Sequence, residues 1–164
     1  MLRLVLCAVV KKAFFEKARF LLEAMGKNIT LVGGVGDGQT CKVANQIIAT
    51  LNIQAVAEAL VFANSAGANP SKVREALMGG FASSKVLEVH GERMNKRTFK
   101  PGASIALHQK DLSLALSGAK TFNVALPNTA NCQQMMNVCE SINLADSDHS
   151  ALVQTLEHLN NQQL

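Results

Sequence analysis

One stretch constrains this chain more than any other: the turn Gly33-Gly34-Val35-Gly36-Asp37-Gly38 and the proline-free run behind it, unbroken until Pro70. Four glycines in six residues permit positive φ values and close backbone approach. The apolar segment Ile29 to Val32 before the turn predicts a short strand. Asp37 is placed as the N-cap of a long helix ending near Ala66, with Gly67 as its C′ residue. Apolar positions such as Val43, Ile47, Leu51, Leu60 and Phe62 cover well over half its circumference, which predicts a central helix buried among neighbours. The turn fails as a dinucleotide-phosphate fingerprint. Gln39 stands where the third glycine belongs, and no second strand with an acidic ribose partner follows.

Lys42, Asn45 and Gln46 are spaced i, i+3 and i+4, on one face near the start of that helix. An ammonium beside two amides at a helix N-terminus suits a small anionic, carbonyl-bearing ligand. The dipole there contributes roughly 0.3–1 kcal/mol to anion binding. From spacing alone, a solvated helix face is the commoner explanation.

With 164 residues there is enough chain for one domain with a real core but not for two full ones. Hydrophobic residues make up 48% and aromatics only 4%, so aliphatic and alanine packing of helix on helix is favoured over a β-sandwich. Cys7, Cys41, Cys132 and Cys139 contain no C-x-x-C pair and read as reduced core thiols, consistent with a cytoplasmic protein. His90, His108, His149 and His158 form no H-x-x-x-H pair, so no metal site is expected. A net charge of +4, densest around Arg93, Lys96, Arg97 and Lys100, is too mild and too poor in aromatics for a nucleic-acid surface. Met1 to Val10 is apolar but too short to span a bilayer, and its lysines lie on the wrong side for a signal peptide, so no membrane partner is expected.

Further helices are predicted at Lys11 to Met25, Ser71 to Met78 (Asn69 before Pro70 at N1), Ser83 to Asn95 and Ile105 to Phe122. Two more follow, from Pro127 to about Ser141 and from Asp148 to about Leu159.

The segment Gly36 to Gln46 resembles the catalytic segment of the β-hydroxyacid dehydrogenases, a family that includes 3-hydroxyisobutyrate dehydrogenase and, more distantly, 6-phosphogluconate dehydrogenase. Further matching stretches are Ala76 to Ala82, Leu107 to Leu112, Leu126 to Ala130 and Asp148 to Leu152, so the resemblance runs from about Phe14 to Leu164. It implies a mainly α fold, the helical domain of the 6-phosphogluconate dehydrogenase C-terminal type around one long central helix. Residues 35–164 would form this catalytic and dimer-forming domain, and residues 1–34 a helix-strand remnant of a Rossmann domain whose bulk is not in this sequence.

The resemblance also implies reversible hydride transfer between NAD or NADP and a small anionic 3-hydroxy acid or its semialdehyde. Lys42 would be the proton donor, its pKa lowered by burial and by the positive nicotinamide. Asn45 would bind substrate, and Gln46 likewise, although many relatives carry Asn at that position. Lys110, Asp111 and Phe99 would contact the cofactor. In the loop around Phe99, Pro101 and Gly102 match the family pattern, while Ala103 replaces its last aromatic. A homo-oligomer, dimer or tetramer, is implied as well. The alternative expectation is a helical dimerisation module without activity of its own.

Overall fold

The computed structural model describes residues 5–9 and 12–164, the former as backbone only. Two compact units divide the chain, residues 1–45 and residues 46–164, with the division falling inside the long helix. The sequence expectation set its domain boundary earlier, between 34 and 35, at the glycine turn.

In the first unit, strand β1 (Val5–Val9) leads through helix α1 (Lys12–Met25) to strand β2 (Asn28–Gly33), and the two strands pair in parallel. Val5 lies opposite Asn28, and the register slips between Ala8 and Val9, which pairs with Gly33. Parallel neighbours require a crossover, and α1 supplies it, so this is a βαβ unit. The sequence reading left Met1 to Val10 unassigned between a strand remnant and an altered start; residues 5–9 are a strand, and 1–4 and 10 lie outside the described residues. Helix α1 forms where its periodicity predicts, but its apolar side chains are only partly covered. Phe15 is buried, whereas Phe14, Phe20, Leu21 and Met25 are exposed.

Helix α2 (Asp37–Ser65) begins one residue differently from the expected cap. Gly36, with φ of 102°, gives the carbonyl that Thr40 N–H reaches at 3.3 Å. Asp37 is therefore the first helical residue rather than the N-cap, and its carboxylate points back to accept the Gly34 amide at 2.7 Å. A Cβ at Gly33 would lie 2.1 Å from that same carboxylate oxygen, so a larger residue there would displace the Asp37 side chain from the Gly34 amide.

The second unit is all helix: the C-terminal part of α2, then α3 (Pro70–Met78), α4 (Lys85–Lys96), α5 (Ile105–Phe122), α6 (Pro127–Ser141) and α7 (Leu152–Asn160), the last preceded by a 3₁₀ turn at His149–Ala151. Local chemistry sets the ends. Asn69, Ser84 and Ser104 each accept an amide three residues on, as N-caps do, and Pro70 and Pro127 open their helices at N1. Gly67 closes α2 at φ 81°, with Ala68 N–H reaching Ala63 O at 2.9 Å, the Schellman pattern the sequence suggests.

Ile53, Val56 and Leu60 of α2 meet Leu87 and Met94 of α4, Ile105 and Leu112 of α5, Met136 of α6, and Leu152 and Val153 of α7 in one core. Cys132 and Cys139 are buried there as thiols. Burial pushes the Cys132 thiol up to about 12, and Cys139 up as well, so both are inert. Cys41 is half-buried, not a core residue. The central helix is less enclosed than its sequence predicts: Ile48 and Phe62 are exposed, and 44% of its most apolar stretch is buried within the chain. Among the described residues α2 is long and apolar enough to cross a bilayer, a test that core helices of water-soluble proteins also pass.

Leu60 is fully buried at the centre of this core. Leu60→Ala is expected to cost about 2–5 kcal/mol in urea unfolding through lost transfer energy and the cavity left behind. A loss below about 1 kcal/mol would mean that α2 is not the core's axis.

Candidate active site

The first three turns of α2, behind the glycine turn, carry Lys42 and Asn45, both exposed. The burial expected for Lys42 is not found in this chain. Gln46 follows as the first residue of the second unit, half-buried. Its amide donates to the Asp111 carboxylate of α5 at 2.5 Å, across 65 residues of sequence. Asp111 is 8% exposed, so this hydrogen bond satisfies a carboxylate withdrawn from water. Lys110, its neighbour in sequence, is exposed, whereas Asp111 has a partner inside the chain. Phe99 is half-buried, packs against the core, and has the Arg97 guanidinium 5.2 Å from its ring centroid.

Behind α5 lies a buried polar cluster that the spacing search did not find. His108 (α5), His90 (α4) and His149 (3₁₀ turn) stack edge-on, with ring centroids 4.4 and 4.3 Å from His149. His149 Nδ1 lies 3.2 Å from His108 Nδ1, and its Nε2 lies 3.1 Å from His90 Nε2. Beside them Asp148 accepts from the Gly102 amide at 3.1 Å, the Ser150 amide at 3.0 Å and the Ser150 hydroxyl at 2.5 Å, and pairs with the Arg93 guanidinium. Burial alone would raise the Asp148 carboxyl. His90 and the donors on Ser150 and Gly102 outweigh it and hold the group well below the usual carboxylate range. Burial lowers His149 to about 3, reinforced by His108 and His90, and burial lowers His108 too. The cluster joins residues from three separated stretches of sequence, so no H-x-x-x-H pattern announces it.

Residues 36–156 match the family profile described as NAD-binding of NADP-dependent 3-hydroxyisobutyrate dehydrogenase, and the chain belongs to that family. It is a nicotinamide-dinucleotide-binding family of oxidoreductases. Among named relatives, 2-hydroxy-3-oxopropionate reductase of Escherichia coli is 65% identical over 93% of this chain and 52% of its own length. A probable 3-hydroxyisobutyrate dehydrogenase-like protein of Arabidopsis thaliana is 36% identical over 86% of this chain and 42% of its own. Mycobacterium tuberculosis 3-hydroxyisobutyrate dehydrogenase, solved with L-serine, superposes with a TM-score of 0.81 at 26% identity, covering 90% of this chain and 53% of that one. The Salmonella typhimurium 3-hydroxyisobutyrate dehydrogenase has the same fold, with a TM-score of 0.86 at 23% identity over 93% and 54%. This chain spans about half the length of the relatives it matches.

On the first unit Lys42 and Asn45 expose an ammonium and an amide, groups that hydrogen-bond a carboxylate or carboxamide; on the second unit Lys110 is exposed. The turn at 33–38 lacks the phosphate-binding glycine pattern.

The histidine cluster sets the acid response. His149 titrates normally near 6.5 when unfolded but near 3 when folded, so between these values the unfolded chain holds the extra proton. Its contribution is complete above about pH 6.5 and is lost as pH falls toward 3. The depressed Asp148 acts in the same direction, but only below its ordinary value of 3.8. The thermal midpoint is therefore expected to fall by on the order of 5–10 °C between pH 6.5 and 4. His149→Gln should flatten that slope, and a wild-type midpoint constant across this window would contradict the assignment.

Proposed function

We propose that this chain is the helical catalytic part of a 2-hydroxy-3-oxopropionate reductase, which converts tartronate semialdehyde to glycerate with NAD(P)H. The observation that carries the reading is the 65% identity to the Escherichia coli reductase over 93% of the chain, with Lys42, Asn45 and Gln46 inside the matched family region.

Bound nicotinamide supplies the hydride, and the chain's residues handle the oxygen. As the aldehyde carbon is reduced, negative charge develops on its oxygen, and a donor aimed there beforehand needs little reorganisation. Lys42 Nζ–H donates that proton and becomes a neutral amine; in the reverse direction the amine accepts it. Asn45 and Gln46, one helical turn on, hold the substrate hydroxyl or carboxylate. Asp111 acts through Gln46, fixing its side chain by the 2.5 Å hydrogen bond, while exposed Lys110 and half-buried Phe99 approach the cofactor. Desolvation of Lys42 falls to the substrate, the cofactor and the remainder of the enzyme. The protein works as a cytoplasmic homo-oligomer on a small anion.

A second reading, a helical dimerisation module inactive by itself, draws on the exposed apolar side chains Phe62, Leu114 and Phe122. Both readings share an associating helical surface.

Lys42→Ala in the intact reductase is expected to lower kcat about 10²–10⁴-fold with cofactor affinity unchanged. Near-normal turnover by that variant would remove Lys42 from the mechanism.

A further inference from the structure

The histidine cluster carries an arrangement that neither the proposed reduction nor the helical packing uses. His90 Nε2 and His149 Nε2 lie 3.1 Å apart. Two nitrogens bound to one zinc-like ion at 2.0–2.1 Å are separated by about 3.0–3.4 Å, so the spacing fits adjacent ligands of one ion. What makes this a built site is the second nitrogen of each ring. His90 Nδ1 is buried without a hydrogen-bond partner, and it faces Asp148 Oδ1 at 3.7 Å, a small ring rotation from a hydrogen bond. His149 Nδ1 faces His108 Nδ1 at 3.2 Å. A metal-bound histidine characteristically donates its other N–H to a carboxylate or similar acceptor, which fixes the tautomer. Here both candidates have that acceptor in place.

We infer that His90 and His149 form a two-imidazole site for a borderline-soft divalent transition ion such as Zn²⁺, Ni²⁺ or Co²⁺, with solvent at the remaining positions. Asp148 and His108 orient the ligands and do not themselves bind the ion.

Binding would replace the His90–His149 hydrogen bond: His90 would carry its proton on Nδ1 toward Asp148, His149 on Nδ1 toward His108, and His108 on Nε2, which is buried without a hydrogen-bond partner. Asp148 is a poor direct ligand because Arg93, Gly102 and Ser150 already occupy its oxygens. Its charge, offset by Arg93, acts on the ion only through His90. Imidazole ligands favour the late transition ions over Mg²⁺, which demands oxygen donors. His90 is half-buried, whereas His149 and His108 are buried. An ion here would tie α4 to the turn before α7.

The test is calorimetric titration of the purified full chain with Zn²⁺, Ni²⁺ and, as control, Mg²⁺, followed by visible spectra of the Co²⁺ form. One transition ion per chain and no Mg²⁺ uptake are expected, together with Co²⁺ d–d bands and no thiolate charge-transfer band. His90→Gln, at the half-exposed ligand, should abolish uptake while melting like wild type. His108→Gln should weaken it about 10–100-fold. His158→Gln, on the exposed surface, should leave it unchanged. A folded wild-type chain that binds no transition ion would overturn the site, as would uptake unaltered in folded His90→Gln or a sulfur-ligated Co²⁺ spectrum.

Discussion

The helical unit depends on one buried carboxylate. Asp148 sits in the segment between α6 and α7, where the chain has no regular structure to satisfy its backbone, and it gathers donors from α4, from the loop before α5 and from its own turn. The surrounding backbone closes the same knot. Asp148 N–H reaches Phe99 O at 2.9 Å, His149 N–H reaches Ala103 O at 2.9 Å, and Ile105 N–H reaches Ser147 O at 3.0 Å. Two irregular stretches, which would otherwise bury unpaired polar groups, therefore pair with each other. A carboxylate with so many donors is tolerated in a core because its desolvation is offset on every lone pair. The ends of α4, α5 and α7 are then held at fixed positions, and with them His90, His108 and the Asp111 face of α5.

That frame gives the proposed chemistry its division of labour. Asp111 lies one helical turn beyond His108 on the buried side of α5, and from there it holds the Gln46 side chain. Within the helical unit Gln46 is thereby tied to α5 through a hydrogen bond rather than through apolar packing alone. Lys42 and Asn45 carry no such burial in this chain.

Local signals were legible in the sequence, and long-range ones were not. Asn69 before Pro70, Gly67 after α2, Pro127 at the head of α6 and Asp148 before the last helix all state helix ends through residue type alone. The family motifs single out Lys42, Asn45 and Gln46 by residue type and spacing. The Gln46–Asp111 hydrogen bond spans 65 residues, and either side chain alone reads as a polar group facing solvent. The histidine cluster escaped for the same reason: its members lie on α4, α5 and a 3₁₀ turn, and a search for paired ligands on one helix cannot bring them together. Asp37 was misplaced as a cap because a carboxylate can satisfy an amide on either side of a turn. The flexible Gly36 left that choice to tertiary geometry.

The most direct measurement of this account is urea unfolding of Asp148→Asn at neutral pH, followed by circular dichroism. The substitution keeps shape but removes the charge opposite Arg93 and turns one acceptor into a donor facing the Gly102 and Ser150 donors. The expected loss is about 3–5 kcal/mol, the range for breaking a buried ion pair by removing one partner. A variant within about 1 kcal/mol of wild type would show that the helical unit does not depend on this carboxylate.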